Sequence, residues 1–136
     1  MNKKSLTITT AAVFVTFFAL EFLIHGGLLA GIYKQTASVW RPEPEMKSLM
    51  PFMTAGQFLF SVFFAALFAR GYEKGKPGAG QGLRYGLWIA FLFSPMNALA
   101  WYVILPIPGM LAVYWFLFGL AEMAVLGWVA GLAYKP

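Results

Sequence analysis

Apolar residues occur along this chain in four long runs, separated by stretches rich in glycine, proline and charged residues. About 20 helical residues are enough to cross the hydrocarbon core of a bilayer. The runs therefore predict four transmembrane helices, which we place at Leu6 to Ile32, Leu49 to Arg70, Leu83 to Leu105 and Met110 to Ala133. Because the connections are short, we expect an all-α, antiparallel up-down four-helix bundle that forms one membrane domain over residues 1–136.

Proline marks two of the connections. Pro42 and Pro44 are expected to keep the first connection out of the helical conformation, and Pro106 and Pro108 leave only a tight turn before the last span. The first run is too long for the apolar region of a secretory signal and lacks a suitably placed small-residue cleavage site. We therefore expect it to be retained as the first span.

The composition supports a membrane location. Hydrophobic residues make up 60% of the chain and charged residues 11%, with a mean hydropathy of +0.71. These values are far from those of soluble domains and indicate an integral membrane protein. The absence of cysteine excludes disulfides, thiolate metal sites, iron–sulfur clusters and thiol catalysis.

The basic residues predict the orientation in the membrane. Lys3, Lys4, Arg70, Lys74, Lys76, Arg84 and Lys135 lie on one side of the predicted spans, and Lys34, Arg41 and Lys47 lie on the other. The positive-inside rule then places both termini in the cytoplasm, in an inner membrane. Tyr33 and Trp40 fall near a predicted span end, where such rings meet the lipid headgroups. The net charge of +5 indicates contact with anionic lipid rather than nucleic acid.

Each predicted span carries one strongly polar side chain close to the middle of the membrane. Glu21, Gln57, Asn97 and Glu122 all lie within about 4 Å of the midplane by their position along the helices. His25, the only histidine, lies one turn outward from Glu21 on the same helix face. Isolated polar groups are unfavourable in hydrocarbon, so we expect these side chains to face the protein interior.

Small residues follow the polar side chains of the second and third spans at helical spacing. The two stripes are Gln57, Ser61, Ala65 and Ala69, and Gly86, Ala90, Ser94 and Asn97. Such stripes allow membrane helices to approach closely, so both should point inward.

Glycine pairs occur on the first and fourth spans. Gly27 and Gly31 form one GxxxG pattern, and Gly127 and Gly131 form another, each lying well round its helix from the glutamate. If the glutamates face the bundle interior, both glycine faces are free to contact another subunit. The pattern therefore predicts a homo-oligomer or a subunit of a larger membrane complex.

Two interpretations of the polar side chains stay open. Glu21, His25 and Glu122 together suit a proton or ion site. Alternatively, neutral glutamates hydrogen-bonded to amides would hold the helices together, as Gln57 and Asn97 would. We expect no metal, because only three candidate ligands exist and no second histidine supports them. The aromatic residues do not identify a cofactor.

These features lead to two hypotheses about function. No nucleophile lies beside a base, so we expect no enzymatic activity. The favoured hypothesis is an accessory or assembly subunit, because four spans with short connections leave little room for an enclosed substrate path. The alternative is an oligomeric proton- or ion-linked transporter or channel that uses Glu21, His25 and Glu122.

Overall fold

The structure, a computed structural model, describes all 136 residues and contains helices and no strands. In chain order it consists of α1 (Lys3–Leu23), a π-helical turn (Ile24–Leu28), α2 (Ala30–Gln35), a 3₁₀ turn (Ala37–Val39), α3 (Glu43–Arg70), α4 (Gly78–Ile104) and α5 (Gly109–Ala133). Four segments are long and apolar enough to cross a membrane: α1 with the π-helical turn, α3, α4 and α5. The expected helical class and the four candidate spans are confirmed.

Each of the four long helices begins earlier than its sequence-based boundary. α3 begins at Glu43, so the expectation that Pro44 prevents helix is wrong. Pro44 lies in the first helical turn, where its missing N–H has no intrahelical partner to lose. At the chain start, the Asn2 side chain caps α1 by accepting the Ser5 N–H at 3.2 Å.

Helices α4 and α5 form the closest contact in the structure, and glycine makes it possible. Gly82 lies against Gly127, and a Cβ added to Gly82 would collide with the Gly127 carbonyl oxygen. Gly78 opposes Gly131, and Gly86 opposes the backbone of Met123. The two helices therefore run in opposite directions with their backbones in direct contact.

This contact corrects one prediction from the glycine patterns. Gly127 and Gly131 are buried against α4, so their face of α5 is not free to bind another subunit. By contrast, Gly27 and Gly31 are exposed, and a Cβ added to either would meet nothing within 4 Å. An intermolecular role for this pair stays a prediction.

An apolar cluster joins α1, α3 and α5. Its buried members are Val13, Phe64, Phe68, Leu126, Ala130 and Tyr134. The Tyr85 hydroxyl of α4 donates to the Phe64 carbonyl oxygen at 2.9 Å and so links α4 to this cluster. Nearby, the Lys135 N–H donates to the Ser5 hydroxyl at 2.5 Å, which places both chain termini at one end. We call this the terminal end, and the opposite end the Trp40 end.

Towards the Trp40 end, α3 is less tightly packed than in its second half. Residues 43–53 of α3 are all exposed, and α3 meets α1 through pairs such as Phe14 with Phe58 and Phe17 with Phe60. The start of α3 is therefore loosely packed, whereas Ile24, Leu29, Ile107 and Leu111 form a second buried apolar cluster at the same end.

Replacing Gly82 tests the importance of the α4–α5 contact. We expect Gly82→Ala to lower the free energy of unfolding by about 1–3 kcal/mol, because the added methyl forces two backbones apart. Gly80→Ala is the matched control on the same helix, since a Cβ there meets nothing within 4 Å. Unfolding of both variants in mild detergent, followed by helical circular dichroism, provides the comparison. Equal stability of the two variants would contradict the expectation.

Candidate functional site

Two carboxyl groups meet between α1 and α5. Glu122 is buried, with 7% of its surface exposed, and the Glu21 side chain is 23% exposed. The two carboxyl groups are neighbours. The Glu122 Oε1 atom is buried and has no hydrogen-bond partner. Two neighbouring acids can form a hydrogen bond to each other only when one of them carries a proton.

His25 extends the pair towards the Trp40 end. Its Nε2 atom lies 3.6 Å from the Glu21 Oε1 atom, one helical turn away. Its Nδ1 atom lies 2.5 Å from the hydroxyl oxygen of Tyr33. The imidazole therefore bridges a carboxylate and a phenol.

The hydrogen bonds of Tyr33 orient this bridge. Trp115 Nε1–H, which can only donate, donates to the Tyr33 hydroxyl oxygen at 2.7 Å. The Tyr33 hydroxyl proton is then available to His25 Nδ1. When the Tyr33 hydroxyl donates to Nδ1, a neutral imidazole carries its ring proton on Nε2, the atom nearest Glu21. These groups form a row from Trp115 to Glu122, and we call it the proton chain. It is hydrogen-bonded from Trp115 to His25 and continues through the 3.6 Å contact of His25 with Glu21.

The π-helical turn gives the proton chain its geometry. The Leu29 N–H donates to the Ile24 carbonyl oxygen at 2.8 Å, which adds one residue to the turn containing His25. In a regular α-helix, residues eight apart lie about 80° apart around the axis. The extra residue brings Tyr33 back to within about 20° of His25, where its long side chain can reach the imidazole. Such bulges are frequent at functional sites.

Gln57 is buried, as its stripe of small residues predicts. The Ser61 hydroxyl donates to the backbone carbonyl oxygen of Gln57 at 2.7 Å. From the contact of Phe17 with Phe60, one further turn places Glu21 and Gln57 at a similar level. The Gln57 Oε1 atom is buried without a hydrogen-bond donor. Gln57 thus adds a second unpaired polar atom to the interior.

The inward orientation predicted for Asn97 is wrong. Asn97 is exposed, and its Oδ1 atom accepts a hydrogen bond from Trp101 Nε1 at 3.0 Å. The buried stripe of α4 instead continues from Ser94 to Ala98. A step of four residues stays within about 40° of a helix face, whereas a step of three turns about 60° the other way.

An aromatic cover over the proton chain was not found from sequence. The Trp40 ring packs edge-on against Tyr33 and Trp115, with centroids 5.5 and 6.2 Å away. Trp40 Nε1–H donates to the Thr36 hydroxyl at 3.0 Å, which fixes the ring. The sequence signal was the position of Tyr33 and Trp40 at a span end, which suggested only contact with lipid headgroups. The first connection therefore folds back over the bundle.

The proton chain reaches the protein surface at two of its members. The His25 side chain is 39% exposed and the Glu21 side chain is 23% exposed. Beyond Glu122 towards the terminal end lies the apolar cluster that contains Leu126 and Ala130. The Thr9 hydroxyl, also buried there, donates locally to the Ser5 carbonyl oxygen at 2.8 Å. Access to the acid pair is thus asymmetric.

Comparison with protein-family models, curated proteins and solved structures finds no match for this chain. No three His, Asp or Glu side chains converge in the manner that a metal site requires. The geometry of the proton chain is therefore the main guide to function.

Tyr33→Phe tests the central link of the chain. The substitution leaves the Trp115 indole N–H and His25 Nδ1 without their partner, so we expect a loss of about 1 kcal/mol in unfolding free energy. We also expect the ¹⁵N chemical shifts of the His25 ring to report a changed tautomer ratio, which is easily read because the chain has one histidine. Tyr102→Phe, at an exposed tyrosine, is the control. Unchanged His25 shifts in Tyr33→Phe would show that the tyrosine does not set the tautomer.

Proposed function

We propose that this protein is a proton-linked integral membrane transporter in which the Glu21–Glu122 pair binds the transported proton. His25 and Tyr33 form the route between this pair and the outer surface. The observation that supports the proposal is the row of neighbouring polar groups from buried Glu122, through Glu21, to partly exposed His25.

A purely structural role explains the acid pair less well. Neutral glutamates that hold helices together should be bonded to amides, but Asn97 lies on the exposed face of α4. The neighbour of Glu122 is instead a second acid. An acid–acid contact away from water is favourable only while a proton is held, so its stability is tied to proton binding.

The one-sided access favours a transporter over an open channel. A channel needs polar groups or water on both sides of its central site, whereas an apolar cluster closes the terminal end here. Transport would then require a second arrangement that opens the pair to the other side. One subunit encloses no path for a larger solute, so we propose that the working form is a homo-oligomer.

In this proposal, the four spans form an antiparallel up-down bundle with both termini in the cytoplasm. The pairing of Gly78 with Gly131 and the contact of Ser5 with Lys135 support that arrangement. The excess of Lys and Arg at the terminal end supports the orientation and a bacterial-type inner membrane. We propose no enzymatic activity and no nucleic-acid partner.

Proton flux into liposomes tests the proposal directly. Reconstituted protein should acidify dye-loaded liposomes under an imposed pH gradient and a compensating potassium conductance. Glu122→Gln and Glu21→Gln keep hydrogen-bonding groups of similar size but cannot exchange a proton, so we expect flux to fall to the level of protein-free liposomes. Glu43→Gln is the matched control, because that carboxylate is 73% exposed on α3.

Two results would contradict the proposal. One is wild-type flux equal to that of protein-free liposomes, with correct folding shown by circular dichroism. The other is unchanged flux in both Glu21→Gln and Glu122→Gln.

The favoured hypothesis from sequence, an accessory or assembly subunit, is the second candidate. It is supported by the exposed Gly27 and Gly31 and by the exposed residues 43–53 of α3. If this surface binds another membrane subunit or a second copy, Gly27→Leu with Gly31→Leu should reduce the native mass in mild detergent. Gly56→Leu is the control at another open glycine. An unchanged mass in the double variant would remove this candidate.

A further inference from the structure

A groove lies between α3 and α4 at the terminal end, away from the proton chain. It has a volume of about 200 Å³, and its walls include Leu67, Gly71, Arg84, Tyr85 and Trp88. Tyr85 spans the two helices by donating to an α3 carbonyl oxygen, and the groove lies beside this bridge. It therefore opens between two helices at the level where the membrane meets water.

The polar end of the groove is held in place by Gln81, which is buried. Its Oε1 atom accepts the Glu73 N–H at 2.8 Å, and its Nε2 atom donates to the carbonyl oxygens of Glu73 and Lys76, each at 3.1 Å. Gly75, with φ of +84°, allows the connection to turn tightly above this clamp. The α3–α4 connection thus has a fixed path next to the groove.

The charges around the groove are mostly positive. Arg70, Lys74, Lys76 and Arg84 lie in or near the α3–α4 connection, which carries one carboxylate, that of Glu73. Lys76 and Arg84 contact this carboxylate. A hydrogen bond from Lys76, together with its charge, holds the pKa of Glu73 below its usual range, so Glu73 stays ionised at neutral pH. Lys76 contacts Glu73 more closely than Arg84 does. The Arg84 Nη2 atom lies 3.6 Å from the Glu73 Oε1 atom. Arg84 therefore keeps most of its donors available, with 64% of its side chain exposed.

Apolar surface continues directly from Arg84 into the membrane. Trp88 lies one turn further along α4 on the same face, about 6 Å deeper, and is 73% exposed. Leu67 of α3, 52% exposed, forms the facing wall. A cation above an exposed indole and a leucine suits a ligand with an anionic head and an apolar tail.

We propose that this groove binds one anionic phospholipid from the leaflet at the terminal end. The guanidinium of Arg84 pairs with the headgroup phosphate, and an acyl chain lies along Trp88 and Leu67. A soluble anion would leave the exposed apolar wall of the groove without a contact. A protein partner bound to the apolar wall would leave Arg84 facing the lipid headgroups at the edge of the contact. This inference does not depend on the proposed transport activity.

Fluorescence quenching by brominated lipids tests the proposal in the intact protein. The chain has five tryptophans, so the signal of Trp88 is obtained as the difference between wild type and Trp88→Phe. In vesicles of phosphatidylcholine containing a small fraction of brominated lipid, brominated phosphatidylglycerol should quench Trp88 more strongly than brominated phosphatidylcholine.

Four variants sharpen the test. Arg84→Gln should abolish the preference for phosphatidylglycerol, and Arg84→Lys should retain most of it by keeping the charge. Glu73→Gln should strengthen the preference, because it removes the nearby negative charge. Arg41→Gln, which removes an exposed arginine at the Trp40 end, should leave the preference unchanged.

Three results would overturn the proposal. They are equal quenching of Trp88 by the two brominated lipids, a full preference retained in Arg84→Gln, and loss of the preference on addition of inorganic phosphate at constant ionic strength. The last result would show that the site takes free phosphate rather than lipid.

Discussion

The direct contact between the backbones of α4 and α5 determines how the rest of the bundle is arranged. Around the α5 axis, Glu122 lies about 140° from Gly127 and about 180° from Gly131. Once α4 occupies the glycine face, the opposite face of α5 must meet α1. Glu122 is thereby turned towards Glu21 and away from lipid. The contact between the glycine faces of α4 and α5 thus determines where the Glu122 carboxyl group is buried.

A second local device arranges the other half of the site. The π-helical turn shifts the helical register by one residue after His25 and brings Tyr33 next to the imidazole. Trp115 and Trp40 then fix the phenol from two sides. The buried acid pair and the aromatic cover are made by different segments, yet a single histidine connects them. The route between them is therefore short and has a defined direction.

The sequence predicted the spans well because bilayer thickness and helical rise together fix the length of an apolar run. It did not predict the partner of Gly127 and Gly131, since a GxxxG pattern indicates close approach without naming the other helix. The matching glycines, Gly78 and Gly82, fell in the predicted connection before Leu83. The π-helical turn was missed because it differs from an α-helix by one residue and a shifted hydrogen bond. The structure brings Glu21, His25 and Glu122 together, and their role as a site stays a prediction. Asn97 was placed on the wrong face because it lies three residues, not four, after Ser94.

The length of α3 has a consequence for the membrane that holds it. Its 28 residues extend about 42 Å, compared with a hydrocarbon core of about 30 Å. The excess falls at its start, where Glu43 and Lys47 form an exposed ion pair suited to the headgroup layer. Thinner bilayers favour a more tilted α3 and thicker ones a more upright α3. Because α3 begins just after Trp40, a change in the tilt of α3 also acts on the Trp40 ring, which covers Tyr33.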